Sequence, residues 1–489
     1  MTTAQQIVGH GPTFRTKEKR LGRSAGARAL ACVAMPLLLV FLAALTLPPA
    51  RVSFAQTVDL PEDYSCFLCH RKEGDLWNEN TPIADEEHLA EDIHWQKGLR
   101  CHDCHGGAPT LDEFKNHRND PEFRSLQNRQ NVPAFCGHCH SNAEYMRKYN
   151  PSARVDQEEL YWASGHGRAL QASSQGENAV ADQDVATCID CHGSHGILAE
   201  SNLKSPVYRT HIAETCAKCH ADSAKMAGRT YHDRPIGTDQ YDQWRESVHG
   251  RAMLDSGDLS APTCSNCHGH HGALPPGVDS VAHSCGNCHG KIAKLFSETA
   301  MKHKFEEVGL PGCATCHGKH AITQPSDEML GMESAAVCAK CHNAENPQYG
   351  ATVAGSEVAR AMRAQFDQLK AEIAEAEDMI REAGELGMEV RGPKYDLREA
   401  FEALTNARTL VHSFKPGPTD EALDEGLQVT AQVKEAAGAA LQEHTNRRVW
   451  LAASLVPIFL VVALLLIFIR RLPVPDSDEP HQEAGGAST

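Results

Sequence analysis

The chain has 489 residues, 41% of them hydrophobic but only 6% aromatic, and a formal net charge of −17 with histidines neutral. This acidic balance argues against nucleic-acid binding, whose footprint is a basic face. It would draw a basic partner, and acidity alone would also keep an exported chain soluble.

Lys17, Lys19, Arg20, Arg23 and Arg28 precede an apolar run from Ala29 to Leu47, and Ser53-Phe54-Ala55 sets small residues before Gln56. Residues 1–55 therefore read as a secretory signal cleaved after Ala55. An uncleaved anchor is the alternative. Cys32 opens the apolar run rather than closing it, and reads as a small apolar residue of the signal.

Nine copies of Cys-X-X-Cys-His follow, the first being Cys66-Phe67-Leu68-Cys69-His70. The others pair Cys101 with Cys104, Cys136 with Cys139, Cys188 with Cys191, Cys216 with Cys219, Cys264 with Cys267, Cys285 with Cys288, Cys313 with Cys316 and Cys338 with Cys341. Each is the attachment signature of a c-type haem, with two thiols for the vinyl groups. The adjacent histidine is the proximal iron ligand: His70, His105, His140, His192, His220, His268, His289, His317 and His342. Zinc would need two CxxC pairs per ion and no histidine fixed at the fifth position. Nine local disulfide loops would be strained. A region this poor in aromatics cannot build a large side-chain core, so nine covalently bound haems c are expected to supply the apolar interior.

The motif region repeats. Trp162-Ala163-Ser164-Gly165-His166-Gly167-Arg168-Ala169 resembles Trp244 to Ala252 with its His249, and both lead to CxxCH-Gly-X-His-Gly. The unit is histidine, CxxCH, histidine, CxxCH. Four units open at His94, His166, His249 and His303, and Cys66 to His70 stands alone before them. These four framing histidines are expected sixth ligands. So are His195, His271 and His320, three residues past a proximal histidine, with His117 substituting in the first unit. The ninth lies among His88, His211, His232 and His283, while His102, His138 and His270 read as spare. His10, His412, His444 and His481 fall outside the motif region. Histidine as sixth ligand closes the iron to substrate and favours lower potentials than methionine. Gly106, Gly193, Gly269, Gly290 and Gly318 follow proximal histidines, either to admit a close porphyrin or to end a short helix.

Beyond His342 the spacing becomes helical. Val358, Met362, Phe366, Leu369, Ile373, Ala376 and Ile380 form one apolar stripe, and Leu397, Phe401, Leu404 and Val411 form a second. A third helix from about Thr419 runs on into Val449 to Ile469, a charge-free run long enough to span a bilayer and interrupted by Pro457. Arginines flank it on both sides, at 447–448 and 470–471, so orientation follows from export of the haem region.

With these residues in hand, the chain resembles the multihaem c-type cytochromes with paired CxxCH motifs. The helices after the haem region are also similar to those of pentahaem nitrite reductases and octahaem hydroxylamine oxidoreductases. The CxxCK motif of the nitrite reductases is absent. The resemblance implies a mostly α fold with little regular structure around the haems, then a helical hairpin or three-helix arm and one transmembrane helix. The expected segments are signal 1–55, haem region 56–345, arm 346–448, span 449–469 and cytoplasmic tail 470–489. It implies a membrane-anchored electron carrier rather than an enzyme. The partners would be a quinol-linked membrane protein and a periplasmic or outer-membrane acceptor, with the haem region outside the cytoplasmic membrane. The arm could also dock a complex or a second subunit. The alternative is a reductase of a nitrogen or sulfur oxyanion with one open haem, the natural candidate being that of Cys66 to His70.

Overall fold

The computed structural model describes residues 66–72, 86–107, 122–124, 126, 128–173, 185–277, 280–343 and 352–473. All belong to one compact unit, residues 62–489. The expected signal, the tail from residue 474 and His117 lie outside the described residues.

Among the described residues the regular structure is helical apart from one small antiparallel pair, Thr230–Tyr231 with Arg234–Pro235. The haem region is mostly α as expected, and its motifs sit on short helices. The first motifs of three units form Cys101–His105, Cys188–His192 and Cys264–His268. Second motifs end longer helices, Val132–His140 and Ile212–His220. Side-chain cores here are small. Trp244 packs with Ala213, Met253 and Ala261, and Tyr161 with Leu170 and Val185.

The arm is built differently. Its first helix is Val353–Glu385, its second Arg391–Leu410 and its third Pro416–Arg471. Phe366, Leu369, Ile373, Ala376 and Ile380 of the first meet Leu397, Ala400, Leu404 and Ala407 of the second and Leu423, Val433 and Ala437 of the third. Small residues let the backbones approach: Gly426 would bring a Cβ within 2.8 Å of Leu369. Phe401, expected inside, is 42% exposed, because the inward face of the second helix is the 397–400–404–407 row and residue 401 falls on its flank. The third helix continues through Pro457 and exposes Val449 to Leu472 almost without interruption. It is one helix long and apolar enough to cross a membrane, which fits a single-pass membrane protein.

Asp327 fastens the arm to the haem region. Its carboxylate takes Arg408 Nε and Nη2 at 2.9 Å each and lies 3.3 Å from Lys370 Nζ, while Arg363 donates to its carbonyl at 3.0 Å. The arginine pair is a bidentate fork, the geometry that best fixes orientation. Phe296 packs edge-on against Phe414, which holds φ +51° where the second arm helix turns into the third.

Candidate functional site

The first-motif helices of the first three units start in the same way. Thr187 N and Oγ1 donate to Asp190 Oδ2 at 2.7 and 2.9 Å, Thr263 N to Asn266 Oδ1 at 2.8 Å, and Arg100 N to Asp103 Oδ2 at 2.7 Å. In these three motifs the second variable residue of CxxCH thus completes a capping box, which nucleates a helix otherwise too short to persist. All four first-motif helices also end alike. Gly106, Gly193, Gly269 and Gly318 hold φ from +76° to +85° with ψ near ±165–175°, a region essentially closed to side chains. Chain reversal requires glycine at these four. Gly290 instead begins the helix Gly290–Ser297.

Successive units join through one repeated hydrogen bond. The residue before a framing histidine donates to the carbonyl two residues past the closing histidine of the next unit: Ile93 to Ile197 at 2.8 Å, Gly165 to Ala273 at 3.0 Å and Val248 to Ile322 at 2.8 Å. Asp92 reinforces the first joint, accepting from Ile197 N at 2.7 Å.

These joints bring histidines together. Three of the four framing histidines face the second proximal histidine of their own unit: His94 with His140 at 5.9 Å between ring centres, His166 with His220 at 6.0 Å, His249 with His289 at 6.4 Å. Each closing histidine crosses to the first proximal histidine of the preceding unit: His195 with His105 at 6.2 Å, His271 with His192 at 6.2 Å, His320 with His268 at 5.9 Å. The fourth unit has no successor, and His412 of the arm takes that place, stacked 6.0 Å from His317. A metal–imidazole bond of about 2 Å, plus roughly 1 Å from nitrogen to ring centre, puts two axial imidazoles roughly 6 Å apart. Bare rings also pack in that range. Seven recurrences at one spacing and in one register favour an iron between each pair.

Ring orientation agrees. His105 Nδ1 lies 3.2 Å from the Arg124 carbonyl, His412 Nδ1 3.1 Å from that of Thr409 and His94 Nδ1 3.2 Å from Asp92 Oδ1. Such acceptors fix the proton on Nδ1 and leave the Nε2 lone pair for a metal. Burial works against ionisation of Asp92, yet hydrogen bonds from His94 and Ile197 hold its carboxyl below the ordinary value. Burial pushes His166 and His320 down to about 4 and lowers His140, His192, His220, His268, His317 and His412, so these rings stand neutral, as ligands must.

The cysteine sulfurs, free thiols here, stand for the thioether sulfurs of attached haem. Cys136 touches Cys188, Cys216 touches Cys264 and Cys285 touches Cys313, each pair across a unit boundary. Within units, Cys104 interacts with Cys139, Cys191 with Cys219, Cys267 with Cys285 and Cys316 with Cys338. Burial raises Cys191 and Cys316 to about 11. Among the described residues no three Cys, His, Asp or Glu side chains converge as a bare metal site.

The other expected ligands are placed differently. His303 is 73% exposed at its side chain, 3.7 Å from Glu306 Oε2, and no ring faces it among the described residues. His342 Nδ1 lies 3.3 Å from the Thr352 carbonyl. His70 ends the helix Phe67–His70, and His88 packs on Gly196. His211 Nδ1 meets the Ser205 carbonyl at 3.0 Å, His232 sits at φ +48° in the hairpin turn, and His283 is exposed. His138 and His270 are exposed and His102 is partly so. His412 was placed outside the haem region by its distance along the chain. The signal that identifies it is the missing fifth repeat.

A family-model comparison matches residues 256–343 to cytochrome c3. No curated protein and no solved structure matches the chain. The matched segment holds the third unit's two motifs and all of the fourth's, with the His268–His320 pair inside it, and the match supports a multihaem c-type cytochrome.

Proposed function

We propose that the chain binds nine haems c and relays electrons between a quinol-linked membrane partner and a periplasmic or outer-membrane acceptor. Bound haem supplies reversible iron(III)/iron(II) chemistry. The protein sets spacing, ligation and burial. One observation carries this reading: Cys136 meets Cys188, Cys216 meets Cys264 and Cys285 meets Cys313, so every joint sets attachment sites of successive units side by side. A catalyst needs one open site, whereas a relay needs every site near the next. The paired histidines support the relay, because two imidazoles leave an iron no position for substrate. The exported signal and the third arm helix support a haem region outside the cytoplasmic membrane, with the tail inside.

Carbon monoxide titration of the reduced protein in detergent tests this. A relay leaves the paired-histidine haems unreactive. Stoichiometric carbon monoxide binding together with turnover of a nitrogen or sulfur oxyanion would replace the relay by the reductase alternative.

A further inference from the structure

The fourth unit departs from the other three at its framing position. In the second and third, a buried serine stands two residues before the framing histidine. Ser164 Oγ donates to the Tyr161 carbonyl at 2.6 Å and accepts from Gly167 N at 3.0 Å; Ser247 Oγ donates to Trp244 at 2.6 Å and accepts from Gly250 N at 3.2 Å. Asp92 holds the same position before His94, accepting from His94 N at 2.7 Å and Trp95 N at 3.4 Å. In the fourth unit this device is Thr299, whose Oγ1 donates to the Phe296 carbonyl at 2.7 Å and accepts from Lys302 N at 3.1 Å. Two residues past Thr299 comes Met301, not His303. Burial follows the same register. Leu89, Tyr161, Trp244 and Phe296 are buried three residues before the cap, and His94, His166, His249 and Met301 are all half-buried two residues after it. His303 lies two residues further round the helix Ala300–Glu307, exposed beside Glu306.

We propose that Met301 is the sixth iron ligand of the haem attached at Cys338 and Cys341, opposite His342. This rests on the nonahaem reading above and specifies one of its sites. In the other three units the framing residue faces the second proximal histidine, which in the fourth unit is His342. The Thr352 carbonyl at His342 Nδ1 would hold the proton there and leave the Nε2 lone pair for a metal. A thioether raises the potential of a haem relative to a second imidazole. The line then carries one distinctly more oxidising haem. It sits beside the first arm helix, where a Cβ on Gly355 would lie 2.3 Å from the His342 ring. A raised potential at the end packed on the membrane arm favours acceptance of an electron from a quinol.

Spectra of the full-length ferric protein in detergent decide this. The expected result is a methionine–iron charge-transfer band worth one haem, lost in Met301→His together with a downward shift of the highest midpoint in a redox titration. Met301→His installs what the other three units already carry, so folding is not at stake. Met301→Leu should lose the band and turn one haem high-spin, while His303→Ala leaves both observables unchanged. No band in the parent protein, or one haem made high-spin by His303→Ala and none by Met301→Leu, overturns the proposal. Intact-mass counting on the same sample separates the two readings: fewer than nine haems with the band present and lost in Met301→His refutes the nonahaem count and leaves Met301 standing.

Discussion

The haem region and the arm are both α-helical, for opposite reasons. Arm helices of 33 and 20 residues bury a continuous stripe against each other, and Phe366, Leu369 and Leu423 are fully enclosed. Haem-region helices such as Cys188–His192 have five residues and bury almost nothing. Helices that short do not persist on backbone hydrogen bonds alone. Caps such as Thr187–Asp190, glycine reversals and the joints at Ile197, Ala273 and Ile322 hold the chain in a shape that becomes a core only with porphyrin inside. One half of the molecule carries its own interior, and the other is a frame for a guest.

The largest test breaks the two apart. Blocking haem attachment should abolish the helical signal of the haem region and leave that of the arm, measured by circular dichroism and limited proteolysis on the full chain. Simultaneous loss of both would show that the arm has no independent core. Next, Phe366→Ala should cost about 3–5 kcal/mol through the cavity it leaves. In denaturant titration the arm transition should move while the haem absorption holds. An unmoved midpoint would contradict the packing described.

Asp327→Ala should cost about 2 kcal/mol, the scale of hydrogen bonds to charged groups. The Arg408 guanidinium holds the Asp327 carboxyl below the ordinary carboxylate value, although burial opposes this. A lowered folded value means that this stabilisation is complete above the unfolded pKa of about 4 and is lost as pH falls through the folded one. Stability measured against pH should therefore drop in acid for the parent and drop less for Asp327→Ala. The smallest effect is local: Gly193→Ala forces a side chain into a backbone region costing about 1–3 kcal/mol. It should weaken the joint without changing the haem count by mass spectrometry.

Much of this was legible in sequence. The CxxCH motifs are chemically unambiguous, and the stripe from Met362 to Ile380 is buried at every expected position because a 3.6-residue period admits one inward face. The destination of the closing histidines was not legible. His195 follows His192 by three residues, yet Gly193 reverses the chain and delivers it to His105 of the preceding unit. His412 lay hidden because its partner, His317, is far away along the chain. Met301 lay hidden because a histidine two residues later imitated the pattern that its cap, Thr299, defines.

The central claim is a line of haems closed by paired histidines across repeat boundaries. Low-temperature electron paramagnetic resonance on the ferric protein, quantified against its haem content, tests it most directly. The prediction is nine haems per chain, with at least seven low-spin signals of the bis-imidazole kind. A majority of high-spin iron at full haem content would contradict it.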